Sequence, residues 1–481
     1  REQQFKSHLL TIVNFWRNAE LSYNYCNKID NCQSLAEVNL SDKSNRKMKR
    51  LLLAIVCVTL TKFAFAQISQ GGKPVSFKYV NQLEVVSYER LPEVDVETLL
   101  AEDEINYPEK KGPYRFGEKH FLEVGLSNSN YWETLPNGDK IWRFGVESEG
   151  AYTLNFIFEN FNIPEGAKLY IYNDEFNHIL GAFTSFNTRD DGWFGTFLLK
   201  GDRAVIEYYE PAAVAGEGTF KLSEVVHAYR DVLGWCKEGD RDFGDSGPCN
   251  IDVACPLGNG WDDQIRSVGI LLTAGGGSFC TGAMVADVSQ SGTPYFLTAN
   301  HCGGNVGNWS VGFNYEVASC GSGTEPQNIP TLSGATQRAS NAGSDMSLLE
   351  WDNMPPESYG VFYAGWSNIN TPATETTGIH HPSGDVKKIS RDDDPTTTSS
   401  YSGADCWRVG AWEQGTTEPG SSGSPLFDQN KRIVGQLYGG GASCFNTGSS
   451  DWYGKFSTSW DGPSASSRLR DWLDPQNNTN T

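Results

Sequence analysis

Gly420, Ser421, Ser422, Gly423, Ser424 and Pro425 set a serine between glycines. Glycine lets the backbone turn sharply, so that two N–H groups can point at one spot. Supplied by Gly420 and Ser422, those donors would form an oxyanion hole, holding the charge that develops on a carbonyl oxygen as the Ser422 hydroxyl attacks its carbon. Gly- and Ser-rich turns are common, so the string needs partners. One is His301, which follows Phe296-Leu297-Thr298-Ala299-Asn300 and precedes Cys302. A strand there would deliver a general base beside a cysteine able to lock its loop. The only later histidines, His380 and His381, precede a Pro382-Ser383-Gly384 turn and read as structural. The third partner is Asp345, which opens the apolar run Met346-Ser347-Leu348-Leu349. Burial would raise its pKa unless a partner such as a histidine N–H held its charge. Alone, Asp345 would read as a turn cap. Together the three residues describe acyl transfer by a serine nucleophile, in the chain order His, Asp, Ser.

The elements that must position these residues are read from composition and pattern. At 481 residues the chain is long enough for two domains plus processed segments. With 51 glycines and 12% aromatics it suits short strands and many turns, which predicts an all-β fold. A net charge of −21, with no basic cluster, excludes nucleic-acid backbone binding. Met48-Lys49-Arg50, the apolar stretch 51–60 and Ala64-Phe65-Ala66 make a secretory signal peptide over 48–66, too short to span a membrane. Residues 1–47 precede that signal and read as upstream translation. From 67 to 235 there is no cysteine. There, alternation at Leu154, Phe156 and Phe158 and at Leu169 and Ile171, with turns at Pro136-Asn137-Gly138-Asp139 and Pro164-Glu165-Gly166, predicts a β-sandwich. A charged linker over 236–243 offers Lys237 and Arg241 as cut points. The domain over 244–475 holds strand candidates at Val268 to Thr273, Tyr295 to Ala299 and Ile433 to Leu437. Leu469, Trp472 and Leu473 predict a terminal helix that stops at Pro475, before a disordered tail over 476–481.

Of eleven cysteines, Cys26, Cys32 and Cys57 lie upstream or in the signal, leaving eight from Cys236 to Cys444. An even count in an exported chain suggests disulfides, and the paired C-x-x-C spacing of zinc sites is missing. No metal and no cofactor are expected.

The second domain resembles the bacterial lysyl endopeptidases, trypsin-like proteases of the chymotrypsin fold. The likeness rests on Cys249 to Cys255, Thr298-Ala299-Asn300-His301-Cys302, Asp345 to Leu349, Thr417-Glu418-Pro419-Gly420-Ser421-Ser422, Gly435-Gln436-Leu437-Tyr438, Asp451-Trp452-Tyr453-Gly454 and Trp472 to Pro475. It implies a double β-barrel with His301, Asp345 and Ser422 as the triad. Asp451 would sit at the bottom of a pocket for a basic side chain, with Glu418 a second acid there. Lysine preference over arginine is inherited from the resemblance. It also implies the disulfides Cys249 to Cys444, Cys255 to Cys320 and Cys280 to Cys302. Cys236 and Cys406 are then left to pair across the linker. Two positions depart from better-known relatives. Tyr438 stands where the family has a histidine that stacks on a tryptophan with no secure counterpart here. Ser421 replaces the Asp that pairs with the new N-terminus in animal zymogens. The sandwich would then be an inhibitory or folding pro-region.

The expectation is a secreted, extracellular bacterial serine endopeptidase. It would be a monomer acting on proteins and peptides, with no nucleic-acid partner and no membrane attachment once the signal is removed. The alternatives are mixed Lys/Arg specificity, or a surface-binding protein with a dormant protease fold.

Overall fold

The alternating run Leu154, Phe156, Phe158 forms the strand Thr153–Asn162 in the computed structural model of the chain. The model describes residues 69–106, 110, 112–235, 246–273, 277–321, 326 and 328–477. The signal segment, Cys236 and the cut points Lys237 and Arg241 lie outside them.

Thr153–Asn162 is buried on both faces: Leu154, Phe156 and Phe158 are fully enclosed, and so are Asn155 and Ile157 between them. The first three pack with Trp142, Phe144, Leu169, Ile171, Ile206 and Leu222 into one core. That core lies between two sheets. One runs in the order Tyr88–Arg90, Lys140–Glu147, Arg203–Glu210, Lys168–Asn173, Ile179–Phe183; the other runs Leu199–Lys200, Thr153–Asn162, Thr219–Ala228, Gly117–Gly125. Sheet on sheet around a shared apolar layer is a β-sandwich. The turns at 136–139 and 164–166 lead into Lys140–Glu147 and Lys168–Asn173.

The remainder supplies seven strands of one eight-stranded antiparallel sheet and all eight of a second, the walls of a chymotrypsin-like double barrel. The first contains Val268–Thr273, Ser278–Met284, Tyr295–Ala299 and Met346–Trp351 as consecutive neighbours. The second contains Thr376–His380, Pro425–Asp428, Ile433–Gly440, Asp451–Lys455 and Ala404–Val409 in that order. Strands begin and end at the predicted 268, 273, 295 and 299, while the strand starting at Ile433 runs on to Gly440. The terminal helix is one turn, Arg470–Leu473, with Leu469 and Leu473 sunk in the core.

Three disulfides join Cys249 to Cys444, Cys255 to Cys320 and Cys280 to Cys302, the pairs the family resemblance implies. The proposed pairing of Cys406 is not formed. Its thiol is free and fully buried on Ala404–Val409, where it faces the Ala404 carbonyl. Burial pushes that thiol up to about 12.

The N-terminal part does not stop at its own sandwich. Tyr114–Arg115 pairs antiparallel with Ser278–Met284, adding a short strand to the first barrel sheet. Around it, Tyr114, Phe116, Phe197, Leu198 and Trp235 share one apolar cluster with Ile270, Leu272, Phe279 and Tyr315.

Candidate active site

Strand register brings the first two residues together. Ala299 pairs with Met346 where Tyr295–Ala299 and Met346–Trp351 run antiparallel, so His301, just past one strand, meets Asp345, just before the other. The His301 backbone N–H donates to Asp345 Oδ1 at 2.9 Å, and His301 Nδ1 lies 2.7 Å from Oδ2. The Asp345 backbone is left-handed, with φ 51°, and its carbonyl accepts from Asn300 N–H and Gln436 Nε2. Burial pushes the Asp345 carboxyl up, while His301 and the backbone N–H groups pull it back. A carboxylate on Nδ1 holds the proton there and leaves Nε2 as an acceptor, the tautomer a general base needs.

Ser422 enters from the second sheet on the turn before Pro425–Asp428. Its carbonyl accepts from Thr281 N–H at 2.8 Å, and Gly423 N–H donates to Leu437 O at 2.8 Å. These bonds tie the turn to Ser278–Met284 and Ile433–Gly440, while the Cys280–Cys302 bridge ties the His301 loop to the same strand. The glycines are sterically required. At Gly423, φ is 81° and a Cβ would come within 2.2 Å of Thr298 Oγ1; at Gly420, φ is 92° and a Cβ would meet the Phe279 ring at 2.2 Å. Among the described residues, neither the Gly420 nor the Ser422 N–H donates to another protein group, as donors reserved for an oxyanion would require.

His301 Nε2 has no hydrogen-bond partner among the described residues, so Ser422 does not donate to it. The Ser422 hydroxyl donates instead to the backbone carbonyl of Lys110, at 3.2 Å. The side chain of that lysine fills the pocket predicted for a basic substrate residue. Lys110 Nζ donates to Asp451 Oδ1 at 2.9 Å, Thr417 Oγ1 at 2.6 Å and Ala442 O at 2.7 Å, with Thr417 O at 3.2 Å. The far oxygen of Asp451 accepts from Thr417 Oγ1 at 2.6 Å and Trp412 Nε1 at 2.8 Å. Burial lowers the Lys110 pKa, opposed by the charges of Asp451 and then Glu418.

Glu418 does not touch the ammonium. Its carboxylate accepts from Gly247 N–H at 3.0 and 3.2 Å and from Ser383 Oγ at 3.3 Å, so it anchors the segment leading to Ile251–Asp252 at the edge of the second sheet and acts on the pocket through its charge alone.

Tyr438 stacks on the His301 ring, centroids 5.5 Å apart and 19° between planes. Tyr401 meets Tyr438 edge-on at 5.3 Å and lies flat on Trp452 at 4.6 Å. A tryptophan therefore supports this ring, through Tyr401, although no sequence spacing points to it. Ser421 is fully buried, its Oγ 2.8 Å from His380 Nδ1; Ser390 Oγ lies 3.0 Å from His380 Nε2, and His381 Nδ1 faces the Asp385 carbonyl. Both histidines are internal struts.

Two groups of metal-ligand side chains occur among the described residues. In one, His301 lies with Cys280 and Cys302, whose sulfurs are spent in a disulfide. The other gathers Asp392, Asp394 and Glu413, oxygen ligands suited to a hard cation. The acidic group stands apart from the contacts described for His301, Asp345 and Ser422.

Sequence reading missed Lys110, Thr417, Trp412, Tyr401 and Trp452. Lys110 sits in a charged stretch, Pro108-Glu109-Lys110-Lys111-Gly112, indistinguishable in sequence from a solvated loop, and Tyr401 and Trp452 are brought together by strand pairing.

Residues 243–454 match the family described as lysyl endopeptidase, C-terminal domain. A lysyl endopeptidase of Pseudomonas aeruginosa is 30% identical over 341 residues, 65% of this chain and 71% of that protein. Similar solved structures include the active form of the Rv3671c protease of M. tuberculosis, at 15% identity and TM-score 0.30 over 46% of this chain and 88% of that one. A serine endoprotease from Yersinia pestis shares 14% identity at TM-score 0.28, covering 40% and 60%. The identity to the Pseudomonas enzyme, spread over most of that protein's length, decides the assignment: this chain belongs to the lysyl endopeptidase family of serine endopeptidases.

Proposed function

We propose that the chain hydrolyses peptide bonds on the carboxyl side of lysine, with His301, Asp345 and Ser422 as its catalytic triad. The observation that carries the reading is the Lys110 ammonium, which ends on Asp451 while its carbonyl rests at the Ser422 hydroxyl. A lysine that fills the pocket thus brings the carbonyl to be attacked against the nucleophile.

Once a substrate lysine replaces Lys110, His301 Nε2 removes the proton from Ser422 Oγ as that oxygen bonds to the carbonyl carbon. The oxyanion is received by the N–H groups of Gly420 and Ser422. His301 passes the proton to the departing amine, the C–N bond breaks and an acyl-enzyme remains. Water, deprotonated by the same nitrogen, then releases the lysine carboxylate and restores Ser422. Asp345 keeps the imidazole oriented and balances its transient charge.

Lysine over arginine is supported by how tightly the acceptors are gathered. An ammonium has its N–H donors at one point, and Asp451 Oδ1, Thr417 Oγ1, Ala442 O and the longer Thr417 O all converge on that point. A planar guanidinium carries five donors spread over a larger fork, which this cluster of acceptors does not match. An exported enzyme accords with three disulfides and with the signal-like segment 48–66. No helix among the described residues is long and apolar enough to cross a membrane. The sandwich over 67–235 is read as a pro-region, released by cutting near Lys237 or Arg241.

Ser422→Ala tests the assignment. Hydrolysis of a lysyl anilide by the processed enzyme should drop by about 10^4-fold or more. Retained activity in that variant would refute it.

A further inference from the structure

Lys110 is set in place from both sides. Before it, the helix Val96–Asn106 is fastened to Arg115, whose guanidinium donates to Asp103 Oδ1 at 2.9 Å, Glu102 at 3.1 Å and the Leu99 carbonyl at 3.0 Å. After it, Tyr114–Arg115 pairs with Ser278–Met284, and the Tyr114 ring meets Phe279 edge-on at 5.3 Å. Phe279 is the ring that fills the space beside Gly420. Between these anchors Lys110 lies in the Asp451 pocket. There the side chain is 1% exposed, although lysine is almost never buried without a partner.

The backbone around this lysine is posed for occupancy rather than turnover. Its φ of 55° bends the chain at the point where an extended strand would run on, and the Ser422 proton is committed to its carbonyl while His301 Nε2 has no partner among the described residues. A nucleophile that donates to the carbonyl oxygen, instead of giving its proton to a base, is not activated.

We propose, resting on the protease reading above, that Lys110 is a tethered ligand of the enzyme's own lysine pocket, a plug by which the N-terminal part of the chain keeps the unprocessed protease closed. A ligand carried on the same chain competes at an effective concentration that free substrates do not reach, so one side chain can suffice. The sandwich contributes by holding the plug in register through Tyr114, Phe116 and Trp235, which share a core with the first barrel.

The test uses intact full-length chain, its integrity checked by mass, as wild type, Lys110→Gln, Lys110→Met and Ser422→Ala. Lys110→Met keeps the length of the apolar stem, so it guards against a variant that fails to fold. Hydrolysis of a lysyl anilide and labelling of Ser422 by a fluorophosphonate are followed before and after limited digestion with an added metalloprotease that is then chelated. The proposal predicts that intact Lys110→Gln and Lys110→Met react at least about a hundredfold faster than intact wild type in both assays, and that digestion removes the difference. Intact wild type as reactive as the variants would overturn the plug and leave the protease reading standing. So would variants as silent as wild type until digestion. If no preparation hydrolyses or labels in a Ser422-dependent way, before or after digestion, the protease reading itself fails.

Discussion

The ammonium of Lys110 and the carboxylate of Asp451 meet at 2.9 Å across 341 residues of sequence, with side chains 1% and 0% exposed. A buried cation and anion at this distance offset each other's desolvation only when their remaining hydrogen-bonding capacity is also met. Here it is met by Thr417, Trp412 and the Ala442 carbonyl. The pocket thus holds the Lys110 ammonium with the hydrogen-bonding capacity of both charges met.

Thr417 should matter for lysine recognition. Its hydroxyl accepts from the ammonium and donates to Asp451, so Thr417→Val removes two charge-assisted bonds without removing the charge. Only the bond to the ammonium is made with substrate, and such a bond is worth about 1.5 to 3 kcal/mol. Steady-state kinetics on a lysyl substrate should show kcat/KM lowered by about tenfold to a hundredfold. An unchanged value would place the substrate ammonium elsewhere.

Tyr438 should act through the imidazole it covers. An aromatic stack contributes about 0.5 to 1.5 kcal/mol beyond its area. Tyr438→Ala is expected to lower kcat about three- to tenfold with little change in KM, and Tyr438→Phe to retain most activity, because the contact is ring on ring. A KM effect alone would show Tyr438 to be a substrate contact instead.

The bridge from Cys280 to Cys302 closes a span of 22 residues that carries the strand leading to His301. In the chain-entropy account, losing it costs about 3 kcal/mol. Replacing both cysteines by alanine should lower the thermal midpoint and reduce kcat together. Full activity at a lowered midpoint would mean that the bridge serves stability alone.

His380 predicts a pH signature. Burial first, then the charges of Lys110 and Lys388, lowers its pKa to about 3, against an ordinary 6.5. Between those values the unfolded chain binds a proton that the folded one does not, so stability rises with pH through this window and is lost as pH falls. His380→Asn should be less stable than wild type at pH 7, because it gives up contacts with Ser421 and Ser390. Denaturant melts should show that gap narrowing towards pH 4. A constant gap would mean that folding leaves the His380 pKa unshifted.

Much of the site was legible because its residues are marked locally. Ser422 lies among glycines that only tight turns require, Cys302 flags the His301 loop, and Asp345 interrupts an otherwise apolar run. Strand starts at Val268 and Tyr295 follow from short β-branched and aromatic runs. What escaped depends on distant pairing. Tyr401 reaches Tyr438 and Trp452 because Ala404–Val409 pairs with Asp451–Lys455, and that register is not written in either segment. Glu418 acts on the Lys110 ammonium through its charge, while its bond to Gly247, 171 residues away, is not written near either residue. Asn155 and Ile157 look like the outer face of a sandwich strand, but both faces of that strand are covered. Cys406 could not be told from a bridging cysteine until the sheet enclosed it.

Specificity for lysine at Ser422 is the central claim, and it is tested most directly by incubating the processed enzyme with a denatured protein mixture and sequencing the new C-termini. The account predicts that they end in lysine, that arginine is rare among them, and that Ser422→Ala produces none. New C-termini ending in arginine as often as lysine, or cleavage that survives Ser422→Ala, would contradict it.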